Sequence, residues 1–138
     1  MKSAFTRCGH AAALTLLATV SGLATAASQS QEGTQYVELQ PAFVTNYGGP
    51  GPIHFLKADL AVRVAGAAAA GLVEHHMPQL RHELVMLLSN QTEASLSSVD
   101  DRERLRQQAL TAVQAVLERE TGAPVAEDLL FNSFVLQR

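Results

Sequence analysis

The stretch HFLKADLAVRV, residues 54–64, has apolar and polar residues in regular alternation. One set of alternate positions is mostly apolar and holds His54, Leu56, Ala58, Leu60, Val62 and Val64. The other set contains Lys57, Asp59 and Arg63. Alternation with a period of two is typical of a strand that has one buried face and one face in water. The stretch therefore predicts a β-strand whose apolar face packs on a core.

The residues before this strand predict its hairpin partner. The stretch YVELQPAFVTN, residues 36–46, places Val37, Leu39 and Phe43 at odd positions around Pro41. Because proline has no N–H to donate, we expect an edge strand, or a strand whose pairing is interrupted at Pro41. The turn-rich stretch NYGGPGP, residues 46–52, then joins it to the next strand as an antiparallel hairpin.

Two amphipathic helices are predicted after the hairpin. The first follows from apolar residues at steps of three and four, namely Val73, Met77, Leu80, Leu84 and Leu87. Pro78 should kink or divide it, because proline removes a backbone hydrogen bond. The second helix begins near Ser98, where side-chain oxygens can cap it, and ends at Gly122. Its apolar stripe comprises Leu105, Leu110, Val113, Val116 and Leu117.

The last stretch, residues 125–137, has the composition of a strand and should complete the sheet. The predicted order is strand, strand, helix, helix, strand. This order indicates an α+β fold, in which a small, mostly antiparallel sheet carries both helices on one face. We expect Leu56, Leu60, Val62 and Val64 to lie under Leu80, Leu84, Leu110 and Val113. The sheet face with Lys57, Asp59 and Arg63 then has no helix to cover it.

The N-terminal residues resemble a targeting segment. Lys2 and Arg7 precede the apolar run AAALTLLATVSGLATA, residues 11–26, and Ala24 and Ala26 are the small residues that signal peptidase prefers. We therefore expect a signal peptide over residues 1–26, a flexible spacer over 27–35 and one domain over 36–138. The apolar run is short for a membrane span, which needs about 20 strongly apolar residues. An uncleaved membrane anchor is the alternative.

Charge and cysteine content exclude several functions. The chain has 10 basic and 13 acidic residues and one cysteine. Cleavage after Ala26 would remove Lys2, Arg7 and Cys8, which leaves eight basic residues and no cysteine. A disulfide framework and a thiolate site are then excluded. The acidic balance also argues against nucleic acid as a partner.

The histidines are the residues that most suggest a metal site. His75, Gln79 and His82 would share one helical face, and His76 and Glu83 flank them. A helix binds a metal best through ligands four residues apart, and that position holds glutamine here. We therefore predict no metal site. A periplasmic metal-binding carrier that uses His75, His76 and His82 is kept as an alternative function.

Catalytic motifs are not found in the sequence. The stretch GGPG, residues 48–51, leads into a strand, whereas a phosphate loop leads into a helix N-terminus. Asp100, Asp101 and Glu103 lie at a helix start, where capping and the helix dipole explain their charge. We predict a protein that is not an enzyme, with no catalytic residue, no cofactor and no small-molecule substrate.

Four stretches, in order, resemble the periplasmic domain of the flagellar basal-body-associated FliL family. They are LQPAFVTN, FLKADLAVRV, MPQLRHELVMLLSNQT and RERLRQQALTAVQAVLERETGAPVAEDLLFNSFVLQ. The last is the most informative, because it closes on Phe134, Val135, Leu136 and Gln137, as family members typically do. The resemblance covers about residues 36–138.

The resemblance implies a stomatin-like fold and a non-enzymatic role in motility at the inner-membrane basal body. It implies contact with the periplasmic part of the stator, which is the ion-driven torque unit, and self-association into a ring or another homo-oligomer. Typical members have a transmembrane helix, whereas this chain begins with a signal-like segment. A non-flagellar extracytoplasmic scaffold of the same fold is the remaining alternative.

Overall fold

The computed structural model describes residues 33–137, and the predicted signal peptide over 1–26 lies outside them. The strands are β1 (Thr34–Glu38), β2 (Phe43–Tyr47), β3 (His54–Ala65) and β4 (Ala126–Gln137). The helices are α1 (Gly66–His75), α2 (Met77–Ser89) and α3 (Val99–Thr121), with a 3₁₀ turn over Ala94–Leu96. Among the described residues, no helix has the length and apolar character needed to cross a membrane.

All pairing in the sheet is antiparallel and centres on β3. β4 pairs with one edge of β3 from Phe55 to Val64. β1 and β2 share the other edge, because β1 pairs with residues 61–65 and β2 with residues 54–58. The predicted hairpin and the α+β class are therefore confirmed.

The predicted strand around Pro41 is divided into β1 and β2. The two segments are separated by residues 39–42, and the Gln40–Pro41 peptide is cis. Both predicted alternatives are seen in the described sheet. β1 and β2 lie at its edge, and pairing is interrupted at Pro41, since proline cannot donate to the ladder. β1 begins at Thr34, so the last two residues of the stretch 27–35 lie in a strand that pairs with the long β3.

The predicted first helix is also divided, as expected near Pro78. α1 ends at His75 and α2 begins at Met77, which places Pro78 in the first turn of α2. A proline is tolerated there because the N–H groups of a first turn have no partner within the helix. After the division, α1 buries Val73 and α2 buries Leu84.

The helices cover one face of the sheet and enclose a single core. The β3 side chains predicted for this core are at most 2% exposed, and Leu80, Leu84 and Val113 of the helices are equally buried. The prediction for Leu110 was wrong, because it is only partly buried and packs at the edge of the core. Ala109 is fully buried instead. The inner line of α3 runs through Leu105, Ala109 and Val113 at steps of four, and Leu110 lies beside it.

Both predicted ends of α3 are confirmed. The Ser98 hydroxyl accepts a hydrogen bond from the Asp101 N–H at 3.0 Å, and the Asp101 carboxylate accepts one from the Ser98 N–H at 3.2 Å. This reciprocal pair satisfies two N–H groups that the helix leaves free. Gly122 adopts a left-handed φ of 83° at the C-terminus, a conformation that glycine adopts without strain.

Candidate interaction surface

The sheet face opposite the helices exposes a cluster of apolar side chains. Val44 of β2 and Val135 of β4 lie on either side of Lys57 of β3, and Phe55 is two residues before Lys57. Val44 is 64% exposed, Phe55 42% and Val135 52%. We call Val44, Phe55, Lys57 and Val135 the open-face patch. Large apolar side chains gathered on one surface typically mark a contact site.

The open-face patch lines a shallow groove of about 410 Å³. Leu136 and Gln137, the last residues of β4, complete its wall. Since the patch residues come from three hydrogen-bonded strands, their spacing is held by the sheet ladder. The patch is therefore a preformed surface with one positive charge among apolar groups.

The sequence predicted that one face of the sheet is uncovered, but only charged residues were assigned to that face. Lys57 is exposed, and Asp59 and Arg63 are partly exposed. The Arg63 guanidinium forms an ion pair with Glu127 of β4 at 3.4 Å. Phe55 was missed, although it shares the parity of Lys57 in the stretch 54–64. Val44 and Val135 could join this face only through the pairing of β2 and β4 with β3.

A second, polar groove lies where β1 and β2 separate. It encloses about 550 Å³ and is lined by Glu38, Leu39, Gln40, Pro41, Ala42, Asp59, Leu60, Asn132 and Ser133. The Glu38 carboxylate accepts a hydrogen bond from the Gln40 side chain at 2.6 Å. The groove follows from the division of the first strand at Pro41, which leaves part of the β3 edge unpaired.

Arg81 has a structural role that the sequence did not predict. It lies outside the apolar stripe of the predicted first helix, but it donates to the carbonyl oxygens of Leu39 at 2.8 Å and Pro41 at 2.6 Å. Its guanidinium carbon also lies 4.2 Å from the centroid of the Phe43 ring. Arg81 thereby joins α2 to the turn between β1 and β2.

The candidate histidines do not converge on one site. The rings of His75 and His76 meet edge to face at the junction of α1 and α2, with centroids 4.8 Å apart. His82 is exposed on α2. Within residues 33–137, no three histidine, cysteine or acidic side chains are arranged to hold a metal ion. His54 lies elsewhere, with its ring 5.5 Å from that of Tyr47. The absence of metal ligands and catalytic residues stays a prediction.

The acidic residues of α3 are engaged in hydrogen bonds. The Ser98 hydroxyl lowers the pKa of Asp101, and the Arg106 guanidinium lowers the pKa of Glu103 to about 2. The same pairing raises the pKa of Arg106. Arg106 also forms an ion pair with Asp128 and donates to the carbonyl oxygen of Leu129 at 3.2 Å. These charges connect α3 to β4.

The comparison with known proteins identifies a family for this chain. The family model described as flagellar basal body-associated protein FliL matches residues 36–137, which extend from β1 to the end of β4. No curated protein matches the chain at a significant level. The family match includes the whole open-face patch and all three helices. The chain therefore belongs to the FliL family of flagellar basal body-associated proteins.

Proposed function

We propose that this chain is a non-enzymatic accessory protein of the flagellar motor, which supports the stator and hence rotation through protein–protein contacts. The observation that carries the proposal is the open-face patch, where Val44, Phe55 and Val135 stand exposed on a rigid sheet. Because the chain belongs to the FliL family, we propose that this surface contacts a component of the flagellar basal body. The partner we propose is the periplasmic region of the stator.

Binding alone is sufficient for such a role. A protein that binds one state of the stator more tightly than another shifts the population toward that state. A tenfold difference in affinity corresponds to about 1.4 kcal/mol, which burial of two or three apolar side chains can supply at roughly 1.5 to 3 kcal/mol each. The domain would act in the periplasm beside the inner membrane and would also self-associate into a ring or another homo-oligomer. No nucleic acid, cofactor or small-molecule substrate is needed.

Deletion of the gene tests the motor role. We expect filaments to assemble and motor speed to fall in a graded way, most strongly at high load, because many stators must then stay engaged. The measurement is single-motor speed over a series of loads, with swimming and swarming assays beside it. Equal speed at every load, together with normal surface motility, would contradict the proposal and favour the non-flagellar scaffold.

Complementation of the deletion tests the open-face patch itself. Phe55→Glu and Val44→Lys place charges in the apolar groove and should fail to restore motor speed at high load. The control is Met86→Lys, which changes a side chain of similar exposure, 49%, on helix α2. It should restore speed fully at equal protein level. Full rescue by Phe55→Glu would show that the stator contact lies elsewhere on the domain.

A further inference from the structure

The outer edge of β4 is open along most of its length. β4 pairs with β3 by one edge, and no described strand lies on the other. Its first residues are covered by α3, because Gln114 donates to the carbonyl oxygen of Ala126 at 2.9 Å and Arg106 to that of Leu129. No described side chain hydrogen-bonds to the backbone of residues 130–137. We call residues 130–137 the free edge of β4.

The free edge lacks the residues that normally prevent strand pairing. Proteins protect edge strands with charges, prolines, short length or β-bulges, and of these the free edge has only the irregularity at Asn132. The free edge reads LFNSFVLQ and contains no charged residue, proline or glycine. β1 and β2, in contrast, have only five residues each and lie next to Pro41. The exposed backbone of β4 is therefore suited to receive another strand.

The first six residues of the free edge are nearly symmetric about their centre. Leu130, Phe131 and Asn132 are mirrored by Val135, Phe134 and Ser133. If two such segments pair antiparallel, each residue lies opposite one of the same kind. Aliphatic residues face aliphatic residues, phenylalanines face phenylalanines, and short polar residues face short polar residues. This symmetry identifies a second copy of the chain as the occupant.

The irregularity in β4 makes this register possible. Residues that oppose each other across an antiparallel pair point to the same face. In a regular strand, Phe131 and Phe134 would point to opposite faces, since they are an odd number of residues apart. Here Phe131 pairs with Leu60 and Phe134 with Ala58, so Asn132 is an extra residue and both rings lie on the helix side. The two rings already contact at 5.2 Å.

We infer that β4 pairs antiparallel with β4 of a second copy, about a two-fold axis between Asn132 and Ser133. The two sheets become one sheet of eight strands with all helices on one face. The four phenylalanine rings meet on the helix side, and the two open-face patches lie on the other side. Such a contact closes on itself and yields a dimer, so a ring would need a further surface. The inference deepens the proposed self-association and does not depend on the stator.

Sedimentation of the purified full chain tests the dimer over about 1 to 100 µM. Val135→Lys should raise the dimer dissociation constant by about tenfold or more, because a lysine on a strand edge opposes pairing. The matched control is Val44→Lys, since both valines flank Lys57 on the same face and only Val135 lies on β4. It should change the constant by less than about twofold. Melting curves establish that both variants are folded.

Cysteine cross-linking tests the register in chains that carry Cys8→Ser. Leu130 of one copy should lie opposite Val135 of the other, about 4.5 to 5.5 Å apart between Cα atoms, which a disulfide can bridge. A mixture of Leu130→Cys and Val135→Cys chains should therefore cross-link. Either variant alone should not, because identical positions are then about 14 Å apart, given four regular strand steps between them and the spacing between strands.

Three results would overturn the inference: a monomer at about 100 µM, a dimer that Val135→Lys leaves intact, or equal cross-linking in the single variants. Because these experiments contain no motor component, their outcome is separate from that of the motility assays. If Val44→Lys fails to support the motor while its dimer stays intact, both the stator contact and the β4 dimer are supported.

Discussion

At the scale of residues, the long-range contacts of a few polar side chains join the two layers. Arg81 connects α2 to the turn around Pro41, and Arg106 connects α3 to the start of β4. Both are guanidinium groups that donate to backbone carbonyl oxygens. The planar guanidinium presents several donors at fixed directions, so one side chain can bond to groups on a distant segment.

Replacing Arg81 should destabilise the domain. Arg81→Ala leaves the carbonyl oxygens of Leu39 and Pro41 without this donor and removes the contact with Phe43, so we expect a loss of about 1.5 to 3 kcal/mol. Arg81→Lys keeps the charge but not the planar group and should recover only part of that loss. Chemical denaturation measures both, with the exposed Arg104→Ala as the control. Equal stability of Arg81→Ala and Arg104→Ala would contradict the structural role.

Glu103 should make stability depend on pH in the acid range. Its pKa is lowered from 4.5 to about 2 by Arg106 in the folded protein, so its contribution is present above pH 4.5. As the pH falls toward 2, the folded carboxylate takes up a proton and the contribution is lost. Because Glu103 is exposed, salt should weaken the effect.

Denaturant unfolding between about pH 6 and pH 2 tests this dependence. The parent chain should lose more stability over that range than Glu103→Gln, and the difference should shrink at high salt. Asp101, whose pKa is also lowered, contributes in the same direction to both chains. Parallel stability curves for the two chains would contradict the assignment to Glu103.

At the scale of elements, β3 organises the molecule. Its 12 residues pair with all three other strands and supply the centre of the core. The alternation in residues 54–64 already predicted its two faces. In α3, periodicity predicted four of the five stripe residues correctly, and Ala109 is fully buried where Leu110, the adjacent apolar residue, was predicted.

Two substitutions in α3 test its register. Leu117 is fully buried, so Leu117→Ala should cost about 2 to 5 kcal/mol through lost burial and the cavity left behind. Leu110 packs only at the core edge, so Leu110→Ala should cost less, about 1 to 2 kcal/mol. The comparison requires unfolding free energies for both variants. A larger cost for Leu110→Ala than for Leu117→Ala would contradict the position of Leu110 at the edge of the core.

At the scale of the whole molecule, the fold is asymmetric. Helices cover one face of the sheet, and the open-face patch lies on the other face. Val135 belongs both to this patch and to the free edge of β4. A domain built in this way has contact surfaces in two directions: perpendicular to the sheet for a partner, and within the plane of the sheet for a second copy. This arrangement suits a protein that acts by binding.

The N-terminal segment bears on how the domain is held at the membrane. We propose cleavage after Ala26, because Ala24 and Ala26 fit the peptidase and seven residues would then separate the cut from β1. Mass spectrometry of the protein from the periplasmic fraction should find Ala27 as the first residue. An intact Met1 in the membrane fraction would establish an uncleaved anchor instead.

Features that depend on neighbouring residues could be predicted from the sequence. The alternation of residues 54–64, the capping group at Ser98, the breaks at Pro41 and Pro78 and the family resemblance are all encoded locally, because strand and helix periods and backbone chemistry act over a few residues. The absence of a metal site was likewise predicted from local spacing and stays a prediction.

Contacts between distant segments could not be predicted in this way, because they depend on how the elements pair and pack. Pairing with β3 brings Val44 and Val135 beside Lys57, leaves the outer edge of β4 open and turns Phe131 and Phe134 to one side. Helix packing places Arg81 on the carbonyl groups of another segment and selects Ala109 over Leu110 for the core. These contacts depend on strand register and on the packing of whole elements. A one-residue change of register would alter the contacts without changing any local sequence pattern.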